Sequence, residues 1–586
     1  MNKKILILLA IILIAILAIA VIAIKQKRAV QNPEITKQEL LQKYQTLKTQ
    51  YEQAKASGVD VSKVERLGKE AKAAYDKGDY KTARELLDKA LEILKSEKIP
   101  ALANKSWPYE GPIYETHPHY YPNHSFKEIT AQIPEMKDLG VKTIYMLPIW
   151  KHEPPPPKGT PYYYGFVYHV LDYYKISPEF GTEEDLKELI NTIHKHNMKI
   201  IFDLTSGAAA EESIPYKWVH TISLSKLKEM GLKLEYTTNK GINYVYSNRG
   251  EEGVLGGMYK GMFKADFLGR IDGDEVKVFT YPIPGFGLAI DRANPGVIEY
   301  FTKAAEYYVK EFDIDGWRID APLNNWNPKI IPGDHSSVEL LRNAKRAINK
   351  IKSDAVFFSE SPSIEIPPLG PHSPEELPDP VLDEICEASY SYSLSRNLVT
   401  AKTSEQLIDF LTGEKIWHNR ARARFVETHD TARINEKAPK LNKPLLVLIS
   451  TIPGVSMIQA GQEIGATNAY LSDAPVDWAK GDYGLRNFYK KVFGIRNNNN
   501  PLKYGTIENV WKSGDNIYAY SRTYENETVI VVINFNGKQV ESVLDIPFPN
   551  GTRLKDELNG EIFTVSDSAN FKITVPAYGS RILTVK

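Results

Sequence analysis

Cysteine is almost missing from this chain. Cys386 is the only one in 586 residues, so no intrachain disulfide can form and the redox compartment leaves no mark on the sequence. A lone thiol of this kind reads as a buried filler rather than a reactive group. An excess of charge is missing too. Lys+Arg and Asp+Glu stand at 73 each, which excludes the strong one-sided field of a nucleic-acid binder, and no nucleic-acid partner is expected. Long apolar runs are confined to residues 5–24, a stretch of 20 apolar residues between Lys3, Lys4 and Lys25, Lys27, Arg28. That length crosses a bilayer as a helix, so a single-pass membrane anchor is expected there. A cleaved signal peptide is the competing reading. Its box, Ala18-Ile19-Ala20, would fall inside the apolar run, and the run exceeds a normal signal-peptide core. The flanking basic residues balance and set no orientation. Nothing in the sequence sets an oligomeric state.

The remainder has ordinary globular composition, 25% charged and 42% hydrophobic, with length enough for more than one domain. Residues 34–98 are polar and helical in period, broken at Ser57-Gly58-Val59-Asp60 and at Lys77-Gly78-Asp79. Val64, Leu67, Ala71 and Ala74, then Ala83, Leu87, Ala90 and Leu94, keep helical spacing. A small helical stalk fits; a partner-binding helical module is the alternative.

Beyond Pro100 the texture changes to short apolar strands alternating with amphipathic helices. Strands are predicted at 113–115, 143–148, 199–203, 316–320, 355–360, 424–430 and 455–459, with a weaker one near 388–392. The intervening helices open at capping boxes such as Ser125-Phe126-Lys127-Glu128 and at Asn294-Pro295. Repeated βα units with nearly continuous apolar strands indicate a parallel sheet covered on both faces. Eight of them between 105 and 495 predict a (β/α)8 barrel, the TIM-barrel architecture. Residues 205–290 are too many for one loop after the third strand and read as an inserted subdomain. From 502 to 586 the period becomes β-like, with turn signals at Asn536-Gly537, Asn550-Gly551 and Asn559-Gly560, predicting an antiparallel β-sandwich domain.

Polar residues at the strand ends carry the functional signal. Gly316-Trp317-Arg318-Ile319-Asp320 puts an arginine and a carboxylate on one face of a strand. Taken alone, that pentapeptide is an ion pair. Asp203, Glu360 and Asp430, however, also close apolar strands, and in a (β/α)8 barrel such ends converge on one face. Four carboxylates with Arg318 and His429 make an acid/base and nucleophile set.

With these residues placed, the chain from about Trp107 onward resembles the α-amylase family of retaining α-glucan-active enzymes. Gly316 to Asp320 resembles the family's nucleophile motif, Glu360 its acid/base position, and Thr428-His429-Asp430 its N-H-D motif. Tyr168-His169-Val170-Leu171-Asp172-Tyr173-Tyr174 resembles the segment with a sugar-stacking tyrosine. The resemblance implies Asp320 as nucleophile, Glu360 as acid/base, Asp430 on the 2- and 3-hydroxyls, and Arg318 as the group that keeps Asp320 ionised. It also implies substrate binding by His429, Tyr168 and Asp203. Two carboxyl groups roughly 5–5.5 Å apart are what a retaining mechanism needs. The family's first motif departs here: Asp203 stands, but its Asn and His positions are Gly207 and Ala208. No structural calcium is therefore expected at that position, no other metal or cofactor is implied, and His169 stands where many relatives have aspartate. The expected activity is hydrolysis of α-1,4-linked glucans or maltooligosaccharides by an outward-facing, membrane-anchored domain. A glucanotransferase with the same three carboxylates and a non-catalytic interaction domain are the alternatives.

Overall fold

Helix starts follow the capping chemistry of the sequence. Ser125 accepts from the Glu128 amide while the Glu128 carboxylate takes the Ser125 N–H, and helix Phe126–Leu139 begins there. It stops at Gly140, whose left-handed φ of 100° favours glycine. Thr182 and Asp185 form the same reciprocal pair at helix Glu183–Lys195. Asn294 caps helix Pro295–Phe312, with proline in its first turn.

The structure, a computed structural model, describes residues 40, 43, 44, 47, 62–96, 107–154, 166–231, 233–239, 241–248, 265–279, 287–322, 337–360, 385–390, 421–468, 475–511 and 516–586. The chain divides into two compact units, Met1–Ala101 and Leu102–Lys586. In the first, helices Ser62–Asp76 and Tyr80–Ser96 form a hairpin about the predicted break at Lys77-Gly78-Asp79. Val64, Leu67, Ala71, Ala74, Ala83, Leu87 and Ala90 bury one face, joined by Leu40 and Leu47. The apolar run at 5–24 and the break at 57–60 lie outside the described residues. Among the described residues no helix is long and apolar enough to cross a membrane.

In the second unit eight strands close into a barrel, each parallel to the next and the last to the first. They are Ile113–Thr116, Thr143–Met146, Lys199–Leu204, Gly316–Ile319, Val356–Ser359, Ala388–Tyr390, Ala421–Arg424 and Val455–Gln459. Trp317 in the fourth strand is fully buried on the helix side, its ring 5.9 Å from both Trp150 and Tyr308. Its neighbour Arg318 therefore turns into the barrel. Gly316 begins this strand because a Cβ there would lie 2.2 Å from the Val356 carbonyl oxygen, inside the ladder to the fifth strand.

The seventh strand differs from the sequence expectation. It ends at Arg424, and the segment 425–430 leaves the ladder. Apolar Phe425 and Val426 look like a continuation, but Glu427 is buried, 2.8 Å from Arg433, and its other oxygen accepts the Ile434 amide. Thr428 and Thr431 close a turn behind it. These side-chain bonds give the backbone an alternative to sheet pairing.

Between the third and fourth barrel strands the chain builds a five-stranded antiparallel sheet from Thr221–Ser223, Leu234–Asn239, Ile242–Asn248, Ala265–Asp272 and Glu275–Val278. Leu227, Val245, Val276, Val278 and Ala289 form its small core. At the C-terminus helix Asn500–Tyr504 comes first, so the β pattern starts at Thr506 rather than at 502. A six-stranded antiparallel sheet and a two-stranded one, Val540–Leu544 with Phe571–Val575, then enclose a core containing Trp511, Ile530, Val532, Leu544, Phe571 and Leu583. Tyr520 and Arg522 tie this domain to the barrel. Tyr520 Oη lies 2.7 Å from Thr451 Oγ1, and Arg522 donates to the carbonyls of Thr451 and Gly505.

Candidate active site

One guanidinium lies at the centre of the site. Arg318 is fully buried, and its Nη1 is 3.0 Å from both Asp203 oxygens and 2.7 Å from Asp320 Oδ1. Its Nη2 is 2.9 Å from Glu360 Oε2. The third, fourth and fifth strands thus each deliver one carboxylate to a single cation. Burial alone would disfavour that charge, but Asp203 and Glu360 more than restore it, and Arg318 titrates well above its ordinary range. Its plane also lies against aromatic rings, 5.2 Å from the Tyr390 centroid and 6.0 Å from Tyr145.

The carboxylates respond differently. Burial pushes Asp203 up while Arg318 and the Tyr145 hydroxyl pull it down. For Asp320, burial outweighs the pull of Arg318, and Glu360 and Asp203 add repulsion, so it is pushed up to about 8. Three carboxylates share one cation, and the balance retains a proton. Glu360 is held by the backbone, its Oε2 accepting the Ala321 amide at 2.8 Å. Ala321 has a φ of 39°, a left-handed value uncommon for a residue with a Cβ. Arg292 Nη1 donates to the Ala321 and Pro322 carbonyls at 3.0 and 3.2 Å and fixes that turn.

A second chain of contacts runs from the strap before strand Val170–Ile176. Tyr168 Oη donates to Asp203 Oδ2 at 2.9 Å and lies 2.7 Å from His429 Nε2. The two rings are nearly parallel, 13° apart with centroids at 5.5 Å. Asp430 Oδ2 is 3.5 Å from the same Nε2 and is exposed. On the far side of the imidazole, fully buried Glu115 accepts the His429 amide at 2.9 Å and approaches Nδ1 at 3.2 Å. Burial pulls His429 down, but Asp430 and Glu115 overcome it and hold the ring up at about 9.

Asp203, Arg318, Asp320, Glu360, Tyr168, His429 and Asp430, all singled out from sequence, therefore meet at one end of the barrel. His169 does not join them; its Nδ1 lies 3.0 Å from Glu153 Oε2 beside the strap. Sequence reasoning missed Glu115, Tyr145, Tyr390, Arg292 and Ala321. Glu115 and Tyr145 carried one signal, a polar group on the interior face of an otherwise apolar barrel strand. Arg292 carried none, because it acts on backbone oxygens far along the chain.

The calcium found in the resembled family does not fit here. Gly207 and Ala208 offer no side-chain oxygen, and Ala208–Ala209 pairs with Leu288–Ala289 as a short ladder. Among the described residues no group of three or more His, Cys, Asp or Glu could hold a metal ion.

Comparison with known proteins agrees with this architecture. Residues 124–252 match the alpha amylase catalytic domain, and residues 509–582 match the maltogenic amylase C-terminal domain. The chain is 25% identical over 428 residues to a cyclomaltodextrinase of Thermoanaerobacter pseudethanolicus, covering 70% of this chain and 63% of that protein. It is 26% identical over 436 residues to a maltogenic alpha-amylase of Bacillus acidopullulyticus, with the same coverage of 70% and 63%. The chain thus spans somewhat less than two thirds of these relatives. Among solved structures, the alpha-amylase of Geobacillus thermoleovorans superposes with a TM-score of 0.60 at 18% identity, covering 82% of this chain and 99% of that one. That likeness is one of fold.

Proposed function

We propose that this homologue of alpha-amylase-family glycoside hydrolases cleaves α-1,4-glucosidic bonds of starch-like glucans or maltooligosaccharides with retention, through a covalent glycosyl-aspartate. The observation that carries the reading is the single buried guanidinium of Arg318 touching Asp203, Asp320 and Glu360 at once. A buried cation with one carboxylate partner is structural; one crowded by three carboxylates at a barrel's C-terminal mouth is poised for proton and charge transfer.

In the first step Asp320 attacks the anomeric carbon as its bond to the leaving oxygen breaks, and Glu360 gives that oxygen a proton. In the second, Glu360 takes a proton from water, the water oxygen attacks the anomeric carbon, and the Asp320 ester bond breaks. Asp320 must lose the proton that crowding around Arg318 favours on it before it attacks, and Glu360 must carry the one it gives to the leaving oxygen. Arg318 sets the direction of both, since Asp320 and Glu360 sit on different nitrogens of one planar group. Asp430 and His429 face the opening and fit sugar hydroxyls, and Tyr168 is held by Asp203 and His429 to form one wall. The relatives support the substrate class, since the cyclomaltodextrinase and the maltogenic amylase are both named for α-glucan chemistry. The length of the run at 5–24 supports a membrane anchor, and polymeric glucans, which lie outside cells, favour a barrel on the outer face.

The test is incubation of the full chain with a ladder of maltooligosaccharides. Shorter products alone support hydrolysis, whereas longer products as well identify a glucanotransferase. Equal inertness of the parent chain and Asp320→Asn on every glucan tried would leave only a non-catalytic domain. Protease shaving of intact cells tests the location; a protected barrel would reject the outward-facing arrangement.

A further inference from the structure

The geometry points to Glu115 as a positioning residue, one that clamps His429 and keeps it an imidazolium, so that Nε2 always presents a proton toward the sugar-binding side. This rests on the proposed function only for the word sugar; the clamp itself is a matter of geometry. Glu115 sits on the first barrel strand, fully buried, and spends both oxygens on one residue. Oε1 takes the His429 backbone amide at 2.9 Å and Oε2 faces the ring Nδ1 at 3.2 Å. A carboxylate buried on an apolar strand is costly unless it is paired, and here the pair is the imidazolium. The backbone hydrogen bond fixes where the ring starts, and the Nδ1 approach, a charge contact outside hydrogen-bond geometry, acts on the charge of the ring.

Every element packed on the ring can be weighed. The first strand brings Glu115, the His429 loop brings Asp430, the third strand Asp203, the strap Tyr168 and the fourth strand Arg318. Asp430 and Glu115 favour the charged ring and Arg318 opposes it, after burial has pulled it down. Asp430 lies in the opening, where a bound sugar would redirect its carboxylate, while Glu115 is out of reach of solvent. Glu115 is thus the partner that remains when the cleft is filled. In the imidazolium both ring nitrogens carry protons, so Nε2 donates while its neighbour Tyr168 Oη is turned toward Asp203. A neutral ring with its proton on Nδ1 would present a lone pair at Nε2, and Tyr168 Oη would donate to it instead of to Asp203.

The experiment is a pH titration of the full chain labelled at histidine Cε1, with the His429 signal assigned by its loss in His429→Asn. The expected result is a titration near 9 in the parent chain, falling by about one unit or more, tenfold in proton affinity, in Glu115→Gln. Glu115→Asp should restore part of the shift. A parent His429 that titrates at or below the ordinary range near 6.5 would overturn the proposal without any variant having to fold. So would a Glu115→Gln shift of less than about 0.3 unit. On maltooligosaccharides, Glu115→Gln should lose about fivefold in kcat/KM near pH 9, where the parent ring is still half protonated, and regain most of it near neutral pH, where the ring is protonated in both. A defect of equal size at every pH would mark a merely structural role and reject the clamp. If the parent chain proves inert on all glucans, the proposed function fails, and the titration still decides the clamp.

Discussion

Asp315 and Asp320 flank the same four-residue strand, and their surroundings are opposite. Asp315, at the base, is one carboxylate among nitrogen donors: His194 Nε2 at 2.9 Å, and the lysines Lys199 and Lys352, with Nζ each at 2.8 Å. Burial would raise it, but those partners outweigh burial and hold it well below the usual carboxylate range. Asp320, at the mouth, is one of three carboxylates around a single cation and is pushed up to about 8. Burial acts in the same direction on both. What separates them is the local count of opposite charges. A surplus of partners makes a carboxylate a structural anchor, and a shortage makes it reactive.

The comparison can be broken at either end. Asp320→Asn should abolish turnover of maltooligosaccharides by about 10³-fold or more, because no other described carboxylate can take the nucleophile's place on Arg318. Thermal melting of the same variant should be unchanged or slightly raised, since a crowded negative charge has been relieved. A substantial fall in melting temperature would mean that Asp320 is as structural as Asp315. The mirror variant, Asp315→Asn, should cost about 2 kcal/mol in denaturant titrations, because it weakens the charge-assisted bonds of a buried carboxylate to His194, Lys199 and Lys352. Specific activity of the folded fraction should be retained.

Acid and alkali sharpen the contrast further. Asp315 is depressed in the fold, so its stabilisation is complete above its unfolded pKa of about 4 and is lost as pH falls below that. Asp320 is raised, so the fold binds a proton that the unfolded chain has already released; its contribution is complete below about 4 and is lost as pH rises toward 8. Acid unfolding should therefore be blunted in Asp315→Asn and unaffected in Asp320→Asn. In turnover, Asp320 must be ionised to attack, so its raised pKa should place the acidic limb of kcat/KM near 8. A limb in the ordinary carboxylate range would show that the crowding does not hold that proton.

Much of this was legible in the chain. Six of the eight strands announce themselves as apolar runs, and Asp203, Asp320 and Glu360 were found because a carboxylate at the end of such a run has few structural uses; the seventh, Ala421–Arg424, shares only Arg424 with the expected 424–430. The end of the seventh strand was misread, since Phe425 and Val426 continue the apolar pattern while the backbone obeys Glu427 and Arg433 instead. Asp315 drew no notice although it adjoins the motif on which the reading turned. Its partners His194, Lys199 and Lys352 come from two helix ends and another strand, and no local pattern reports their convergence. Glu115 was passed over for a similar reason. Its partner His429 is 314 positions away, and only barrel closure between the first and last strands brings their neighbourhoods together.

The smallest expected effect concerns how the mouth is kept in register. Glu360 is oriented on one side by Arg318 and on the other by the Ala321 amide, and that amide is aimed by a left-handed turn. A residue with a Cβ holds such a turn at a cost of roughly 1–3 kcal/mol unless its surroundings impose it. Arg292 imposes it, donating to two successive carbonyls, Ala321 and Pro322, from a largely buried position. Lysine keeps the charge but, with a compact ammonium in place of the planar guanidinium, does not set a nitrogen where Nη1 reaches both oxygens. Arg292→Lys should thus let the turn relax and swing the amide from Glu360, lowering kcat about tenfold while KM stays within about twofold, since no sugar contact is touched. Arg292→Lys with unaltered kcat would mean that the turn is held by its own packing. The mouth would then need no external brace, as the base, with its surplus of partners, needs none.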